Sequence, residues 1–237
     1  MGNRKSATMN KVIFWDFHGT LAYNDWMISK ALYKVLQENE PDCNISIDQI
    51  KKTPILGFPW HNPEKEYLNL TKPEAWWELA EKILSDVYTG LDIDDEKAKL
   101  YASKAHYELV KSDEFKLYDD TIEVLKHFNC KGYFNVILSN HIPELPDIAK
   151  QLGLGDYIHA CISSANIGFE KPNPRIYEYA LNKVNHPKVS WMVGDSMECD
   201  VKGPEAVGIK GVLVRSDNKY GTEYYSKDLV GLKEIIL

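Results

Sequence analysis

The segment Lys11-Val-Ile-Phe-Trp15 constrains the fold of this chain more than any other. Four of its five residues are apolar and β-prone, and it runs directly into Asp16, followed by Gly19 and Thr20. Such a run is typical of a strand that is buried on both faces and ends in a polar loop. Because open α/β sheets bind their ligands at the carboxyl ends of strands, Asp16 is the first candidate for a catalytic residue.

The second half of the chain repeats the same pattern, with helical and strand-like segments in alternation. Further strands are predicted at 133–138, 157–162, 189–193 and 211–214. Helices are predicted at 120–128, 145–152, 173–184, 203–207 and 230–236. Alternation of this kind requires right-handed crossovers, so we predict an α/β fold with a doubly wound, Rossmann-like parallel sheet.

Residues 22–115 do not follow this pattern, because no stretch among them alternates with the period of a strand. Helices are predicted at 25–38, 71–90 and 94–110, with irregular structure and short helical pieces over 42–72. The sequence Thr71-Lys-Pro-Glu74 is interpreted as a capping box that starts the second of these helices. We therefore predict an all-helical insertion over 22–115 within an α/β core formed by 9–21 and 116–237.

The charge and cysteine content exclude several classes of protein. A net charge of −7 and a pI near 5.5 disfavour binding to nucleic acid or to an anionic membrane, since both need basic surfaces. The four cysteines have no CxxC spacing, so neither a zinc site nor a disulfide framework is expected. With no apolar run long enough to cross a membrane and no signal peptide, the predicted location is the cytoplasm.

The first residues, Met1-Gly2-Asn3-Arg4-Lys5-Ser6, fit the MGxxxS pattern of N-myristoylation. Short patterns of this kind match by chance easily. We interpret residues 1–8 as a disordered tail or a cloning scar ahead of a natural start at Met9.

Polar residues follow three further predicted strands, in chain order. Ser139 and Asn140 follow the strand at 133–138, Lys171 follows the strand at 157–162, and Asp195 and Asp200 follow the strand at 189–193. The carboxyl ends of parallel strands lie along one edge of a sheet, so these groups are expected to converge with Asp16.

This set of groups is suited to phosphoryl transfer. A carboxylate nucleophile divides one difficult displacement into two easier ones through an acyl phosphate. The remaining catalysis is positioning and neutralisation of charge, for which Ser139 and Asn140 offer hydrogen bonds and Lys171 a positive charge. Asp16 and Asp195 offer the hard oxygen ligands that Mg²⁺ prefers.

Asp16 to Leu21 spell DFHGTL, which resembles the DxDGT nucleophile motif of the haloacid dehalogenase-like (HAD) hydrolase superfamily. The resemblance extends over about 11–215, where the four motifs occur in the family's order. Glu170 to Tyr177 resemble the third motif, with Asn173 in place of the more usual aspartate. The helical insertion is similar to the family's cap, which closes over small substrates and excludes water.

The resemblance implies a role for each matching residue. Asp16 would be the nucleophile and a Mg²⁺ ligand, together with Asp195 and the backbone carbonyl of His18. Asp200 would support the metal through water or through contacts with its ligands, and Thr20 would steady the loop and help to bind the phosphate. Ser139, Asn140 and Lys171 would bind the phosphate.

His18 departs from the family's phosphatase pattern, in which an aspartate protonates the leaving alcohol and later activates water. A histidine titrates near neutrality and could make both proton transfers, so we predict a Mg²⁺-dependent phosphatase that is ordinary or slow. Two alternatives remain open: a catalytically silent protein that binds a phosphorylated ligand, and a haloacid dehalogenase in which Asp16 attacks carbon.

The substrate is predicted to be a small phosphorylated metabolite, recognised by residues of the insertion. Trp60 and His61, in a loop flanked by prolines, are the better candidates for lining its pocket. The adjacent Trp76 and Trp77 are expected to belong to a helix core, with at most one of them facing outward.

Overall fold

The computed structural model describes residues 10–219 and 221–237. The strands and helices are, in chain order, β1 (Lys11–Trp15), β2 (Ala22–Tyr23), α1 (Met27–Asn39), α2 (Ile47–Lys52), α3 (Pro73–Thr89), α4 (Asp95–Leu109), β3 (Lys116–Leu117), α5 (Thr121–Cys130), β4 (Phe134–Ser139), α6 (Leu145–Gln151), β5 (Ala160–Ser163), α7 (Pro174–Lys183), β6 (Val189–Gly194), α8 (Gly203–Glu205), β7 (Lys210–Val214), β8 (Tyr225–Ser226) and α9 (Leu232–Ile235). The N-terminal MGxxxS pattern and the predicted tail at 1–8 lie outside the described residues.

Six strands form one parallel sheet in the order β5-β4-β1-β6-β7-β8. β1 lies in the interior of the sheet, between β4 and β6, with Phe14 opposite Val136 on one side and Met192 on the other. The strand order reverses on the two sides of β1, which is the arrangement that opens a crevice at the carboxyl ends of the strands. The predicted doubly wound α/β fold is confirmed.

The side chains of β1 are buried on both faces of the sheet, as its apolar sequence predicts. Ile13 and Trp15 belong to the hydrophobic cluster on one face, and Val12 and Phe14 to the cluster on the other. All four are fully buried, and a side chain of this size contributes ~1.5–3 kcal/mol on burial. This packing fixes the position of the strand that presents Asp16.

Between β2 and β3 the chain forms four helices, α1 to α4, and short 3₁₀ turns. The prediction of an all-helical insertion over 22–115 differs from the structure at its first residues, because Ala22 and Tyr23 pair with Leu117 and Lys116 in an antiparallel ribbon. Two residues are too few to show a strand's periodicity in the sequence. We refer to residues 24–115 as the helical insertion.

The predicted capping box at Thr71 is wrong. The N-cap of α3 is Lys72, whose backbone is extended, whereas Thr71 has helical backbone angles and directly follows the 3₁₀ turn Leu68–Leu70. The Thr71 hydroxyl donates to the Leu68 carbonyl, so it does not cap α3. An N-cap residue needs a non-helical conformation, which the preceding turn denies to Thr71.

Trp76 and Trp77 lie on the buried face of α3, which confirms their assignment to a helix core. The Trp77 indole N–H donates to the Glu144 carboxylate at 2.9 Å, and Glu144 immediately precedes α6 of the α/β core. The helical insertion is therefore joined to the core by a side-chain hydrogen bond as well as by its two chain connections. Within the described residues, no helix has the length and apolar character needed to span a membrane.

Candidate active site

Asp16 follows β1 in a tightly constrained loop. Its backbone N–H donates to the Val193 carbonyl at 2.9 Å, which continues the pairing of β1 with β6 by one residue. Gly19 has a φ of 86°, and a Cβ placed there would lie 2.5 Å from a carboxylate oxygen of Asp195. Glycine adopts this φ without strain and has no Cβ to collide with Asp195. Gly19 of the DFHGTL sequence therefore allows the loop to approach Asp195 closely.

Lys171 joins two carboxylates that are far apart in the sequence. Its Nζ lies 2.7 Å from Oδ1 of Asp16 and 2.6 Å from Oδ1 of Asp200. Carboxylate oxygens of Asp16, Asp195 and Asp200 all lie within 4.8 Å of one another. We call these four residues the carboxylate cluster. The structure thus brings together the groups that the sequence places after β1, β5 and β6.

Burial and mutual repulsion govern the protonation of this cluster. Burial, reinforced by the charge of Asp16, raises the pKa of Asp195 to about 6. Burial also raises the pKa of Asp200, although the ammonium of Lys171 opposes this change. For Lys171, burial would lower the pKa, but the Asp16 and Asp200 carboxylates outweigh it and raise the pKa above its ordinary value.

The cluster fits a divalent cation. Three carboxylates face the single ammonium of Lys171, so two negative charges are left without a counterion when all three are ionised. Their oxygens are the hard ligands that Mg²⁺ selects. A further positive charge would also relieve the repulsion between Asp16 and Asp195.

Ser139 and Asn140 lie beside this cluster but have different surroundings. The Asn140 amide donates to the Lys171 carbonyl at 2.8 Å and accepts from the Lys171 backbone N–H at 2.6 Å. This two-point contact orients the segment that carries the ammonium. Ser139 is buried at the end of β4, and its hydroxyl makes no hydrogen bond to the described residues. Phosphate binding by these two side chains stays a prediction.

Thr20 is fully buried, and its hydroxyl has neither a hydrogen-bond partner among the described residues nor contact with solvent. Its carbonyl accepts from Nε of Arg215 at 2.9 Å, and Arg215 also pairs with Asp120. These contacts fix the backbone of Thr20, and the role that the resemblance implies for this residue stays a prediction. The buried hydroxyl gives no support to a direct contact with phosphate.

His18 is exposed, unlike Asp16, and its ring is held by the backbone of Asn24. Nε2 lies 3.1 Å from the Asn24 carbonyl oxygen and 3.2 Å from the Asn24 backbone nitrogen. A protonated Nε2 donates to the carbonyl, and an unprotonated Nε2 accepts from the N–H. Asn24 can therefore hold the imidazole in either form, a contact that the sequence did not indicate.

The family model of the haloacid dehalogenase-like hydrolases matches residues 10–208. The chain belongs to this family. It is a HAD hydrolase, and the resemblance that the sequence shows over about 11–215 is confirmed as far as residue 208.

Proteins that are similar to this HAD hydrolase in sequence or in fold differ in their activities. A glyceraldehyde 3-phosphate phosphatase of Methanothermobacter thermautotrophicus is 31% identical over 222 residues, which are 88% of this chain and 87% of the relative. The structure of the HAD-hydrolase YfnB of Bacillus subtilis, bound to magnesium, is similar with a TM-score of 0.73, 18% identity and coverage of 96% and 98%. A 2-haloacid dehalogenase of Pseudomonas syringae has a TM-score of 0.69 at 17% identity, with coverage of 96% and 98%.

Two buried titratable groups near the active site of this hydrolase were missed from the sequence. His141 has both ring nitrogens buried without a hydrogen bond to the described residues, and burial, aided by His18, lowers its pKa to about 3. Glu170 precedes Lys171, and burial raises its pKa to about 7 against the opposing effects of Ser164 and Lys171. The signal available for His141 was its position directly after Ser139 and Asn140 at a strand end.

A cavity of about 740 Å³ lies between the core of the hydrolase and the helical insertion. It reaches His18, Asn140 and His141, the neighbours of the carboxylate cluster, and is otherwise lined largely by the insertion. Trp60 lines it as predicted, whereas His61 does not belong to its lining. Its volume lies within the range of ~300–1,000 Å³ that is typical of pockets for small molecules.

Proposed function

We propose that this HAD hydrolase is a Mg²⁺-dependent phosphatase that acts on small phosphomonoesters through an aspartyl-phosphate on Asp16. The observation that carries this proposal is the ion pair of Lys171 with both Asp16 and Asp200, beside Asp195 and next to a cavity. A buried nucleophile, a neighbouring ammonium and excess carboxylate charge are the groups that phosphoryl transfer needs.

The proposed reaction has two displacements. A carboxylate oxygen of Asp16 forms a bond to phosphorus while the ester P–O bond breaks, and the leaving oxygen takes a proton from His18. Water then attacks the acyl phosphate and gives a proton to His18, which releases inorganic phosphate and restores the Asp16 carboxylate. Lys171 neutralises phosphate charge in both steps, and the Ser139 hydroxyl donates to a phosphate oxygen.

The proposed metal ligands are Asp16, Asp195 and the backbone carbonyl of His18, with Asp200 acting through water. When bound, Mg²⁺ would neutralise charge on the phosphate and favour attack by the carboxylate. The proposed proton carrier is Nδ1 of His18, because Nε2 is engaged by the Asn24 backbone. This backbone contact would orient the ring during both proton transfers.

The deciding experiment measures phosphate release from a panel of small phosphomonoesters, with Mg²⁺ and with chelator, for the natural chain and for Asp16→Asn. We expect metal-dependent release that falls by at least about 10³-fold in Asp16→Asn, because an amide cannot form the acyl phosphate. Unchanged release by Asp16→Asn would refute the proposed nucleophile.

Two further measurements separate the alternatives. Halide release from 2-haloacids in the presence of chelator would indicate a dehalogenase, in which Asp16 attacks carbon. Stabilisation by phosphorylated ligands with no release of phosphate or halide would indicate a binding protein. The dehalogenase is tested because position 18 holds an exposed histidine in place of the aspartate of the family's phosphatases.

We also propose that the substrate is a phosphorylated metabolite and that the protein works in the cytoplasm. The four cysteines, Cys43, Cys130, Cys161 and Cys199, are all free thiols. Free thiols are typical of proteins kept in a reducing compartment. Fractionation of cells that express the natural chain tests this location.

A further inference from the structure

We propose that the cavity selects phosphomonoesters that carry a second anionic group on a flat, apolar body. Trp26 and Trp60 would contact the body, and Lys51 and Lys52 would bind the second anion. We call these four residues the cavity wall. The inference rests on the proposed phosphatase activity and identifies the class of substrate.

The charges that line the cavity favour an anion. The chain as a whole has a net charge of −7, yet none of the described residues that line this cavity is aspartate or glutamate. Lys51 and Lys52 are the lysines in that lining, and both belong to the last turn of α2 in the helical insertion. A local positive potential on an acidic protein concentrates anionic ligands and repels cationic ones.

Lys51 and Lys52 have little counter-charge of their own. Nζ of Lys51 lies 3.8 Å from Asp48, whose side chain is 75% exposed, so this pair is weak. Lys52 makes no ion pair with any of the residues described by the structure. Each ammonium is therefore available to an anion in the cavity.

Trp26 is held at the cavity in an unfavourable state. Its backbone has a φ of 60°, in the left-handed region, which costs a residue with a Cβ roughly 1–2 kcal/mol. Its side chain is 58% exposed, although an indole gains free energy on burial, and its ring lies 5.1 Å from Nζ of Lys51. Costly placements of this kind occur where a side chain contacts a ligand.

Trp60 offers a second flat surface, and neighbouring aromatic side chains hold its ring in place. Its ring stacks on Phe58 with 4.5 Å between centroids and an interplanar angle of 9°, and Trp76 lies 5.9 Å away. A rigid aromatic surface binds a planar ligand with little loss of side-chain entropy. The two indoles and the two lysines together match an apolar body that ends in a negative charge.

A structural role for the lysines must be separated from this one. Cations in the last turn of a helix interact favourably with its dipole, so Lys51 and Lys52 could serve only to stabilise α2. A purely structural role would change the melting temperature and leave the preference between substrates unchanged. A binding role would change the preference and leave the melting temperature nearly unchanged.

The experiment compares kcat and KM for four probes with Mg²⁺ present. These are phenyl phosphate, 4-(carboxymethyl)phenyl phosphate, hydroquinone bisphosphate and glycerol 3-phosphate. We expect the two aryl probes with a second anion to have KM values about fivefold or more below that of phenyl phosphate. The carboxylate and bisphosphate arms distinguish which second anion is preferred, and glycerol 3-phosphate tests the need for a flat body.

Lys51→Gln/Lys52→Gln is the test variant, and Lys65→Gln is the control, since Lys65 is an exposed lysine of the insertion outside the cavity. The double variant should lose the preference for a second anion, measured as the ratio of KM for phenyl phosphate to KM for each probe with a second anion, and the control should keep that ratio. An equal rise of KM for all probes, or a preference that persists in the double variant, would overturn the inference. Absence of phosphate release from every probe would instead contradict the proposed phosphatase function.

Trp26→Gly tests the aromatic contact without a loss of stability, because glycine adopts the left-handed conformation without strain. We expect KM for the aryl probes to rise about threefold or more, with a melting temperature equal to or above that of the natural chain. An unchanged KM for the aryl probes would show that the indole does not contact the substrate.

Discussion

The carboxylate cluster and the cavity wall differ in how strongly the surrounding structure fixes their charged groups. Lys171 is 3% exposed and has two ion-pair partners, whereas Lys52 is exposed and has none among the residues that the structure describes. Buried groups in the cluster depend on one another, so removal of one leaves the others uncompensated. Substitution of a lysine of the cavity wall leaves no buried charge without a partner. This difference supports our proposals that the core carries out the reaction and that the helical insertion selects the substrate.

The largest expected effect is that of Lys171→Met. This change leaves the Asp16 and Asp200 carboxylates buried without their ammonium, so we expect a loss of about 3–5 kcal/mol in the free energy of unfolding and no detectable phosphatase activity. Mg²⁺ should raise the melting temperature of this variant more than that of the natural chain. Denaturant unfolding measures the loss of stability, and melting curves with and without Mg²⁺ measure the effect of the cation. An unchanged unfolding midpoint would show that the Asp16 and Asp200 carboxylates do not depend on the Lys171 ammonium.

His18→Asp tests whether proton transfer by residue 18 limits the rate of the proposed reaction. We expect the Mg²⁺-dependent rate to rise by up to about a hundredfold, because a carboxylic acid would restore the family's usual proton donor. The pH profile of kcat/KM should shift at the same time. A slower or inert variant would show that the contact between His18 and the Asn24 backbone has become part of the catalytic arrangement.

Glu170→Gln probes a buried carboxyl next to the cluster. The folded-state pKa of Glu170 is raised to about 7 from an ordinary value of about 4.3, so the folded protein binds this proton more tightly than the unfolded chain does. The stability of the natural chain should therefore fall as the pH rises from about 4.3 to about 7. The glutamine variant lacks this fall and should melt at least about 2 °C higher at pH 8, with a smaller difference at pH 5. Melting curves at the two pH values, in chelator, provide the measurement, and a difference independent of pH would be evidence against the raised pKa.

The smallest expected effect is that of Lys52→Gln on stability. This exposed side chain makes no ion pair within 10–219 and 221–237, so the free energy of unfolding should change by less than about 0.5 kcal/mol. The change from Lys171→Met should exceed it severalfold under identical conditions. Similar effects of the two substitutions would remove the distinction between the carboxylate cluster and the cavity wall.

The sequence by itself indicated five of the six strands of the main sheet, all except β8, and the order of its polar strand ends. Apolar runs such as Lys11–Trp15 and the alternation of helices and strands are short-range signals, and the parallel sheet follows from them. The same reasoning predicted that Asp16, Lys171, Asp195 and Asp200 would converge, since the strand ends share one edge of the sheet. It failed at Thr71 and at Ala22–Tyr23, where local conformation depends on neighbours outside the short pattern.

Only the tertiary structure decided how the side chains of the site are used. The pairing of Asn140 with the Lys171 backbone and of His18 with Asn24 depends on distances and loop conformations that no periodicity encodes. The cavity likewise combines Trp26, Lys51 and Trp60 from separate parts of the helical insertion with His141 from the core. Secondary structure follows mainly from residues close in sequence, whereas the protonation of a buried group and the shape of a cavity follow from residues that meet only after folding.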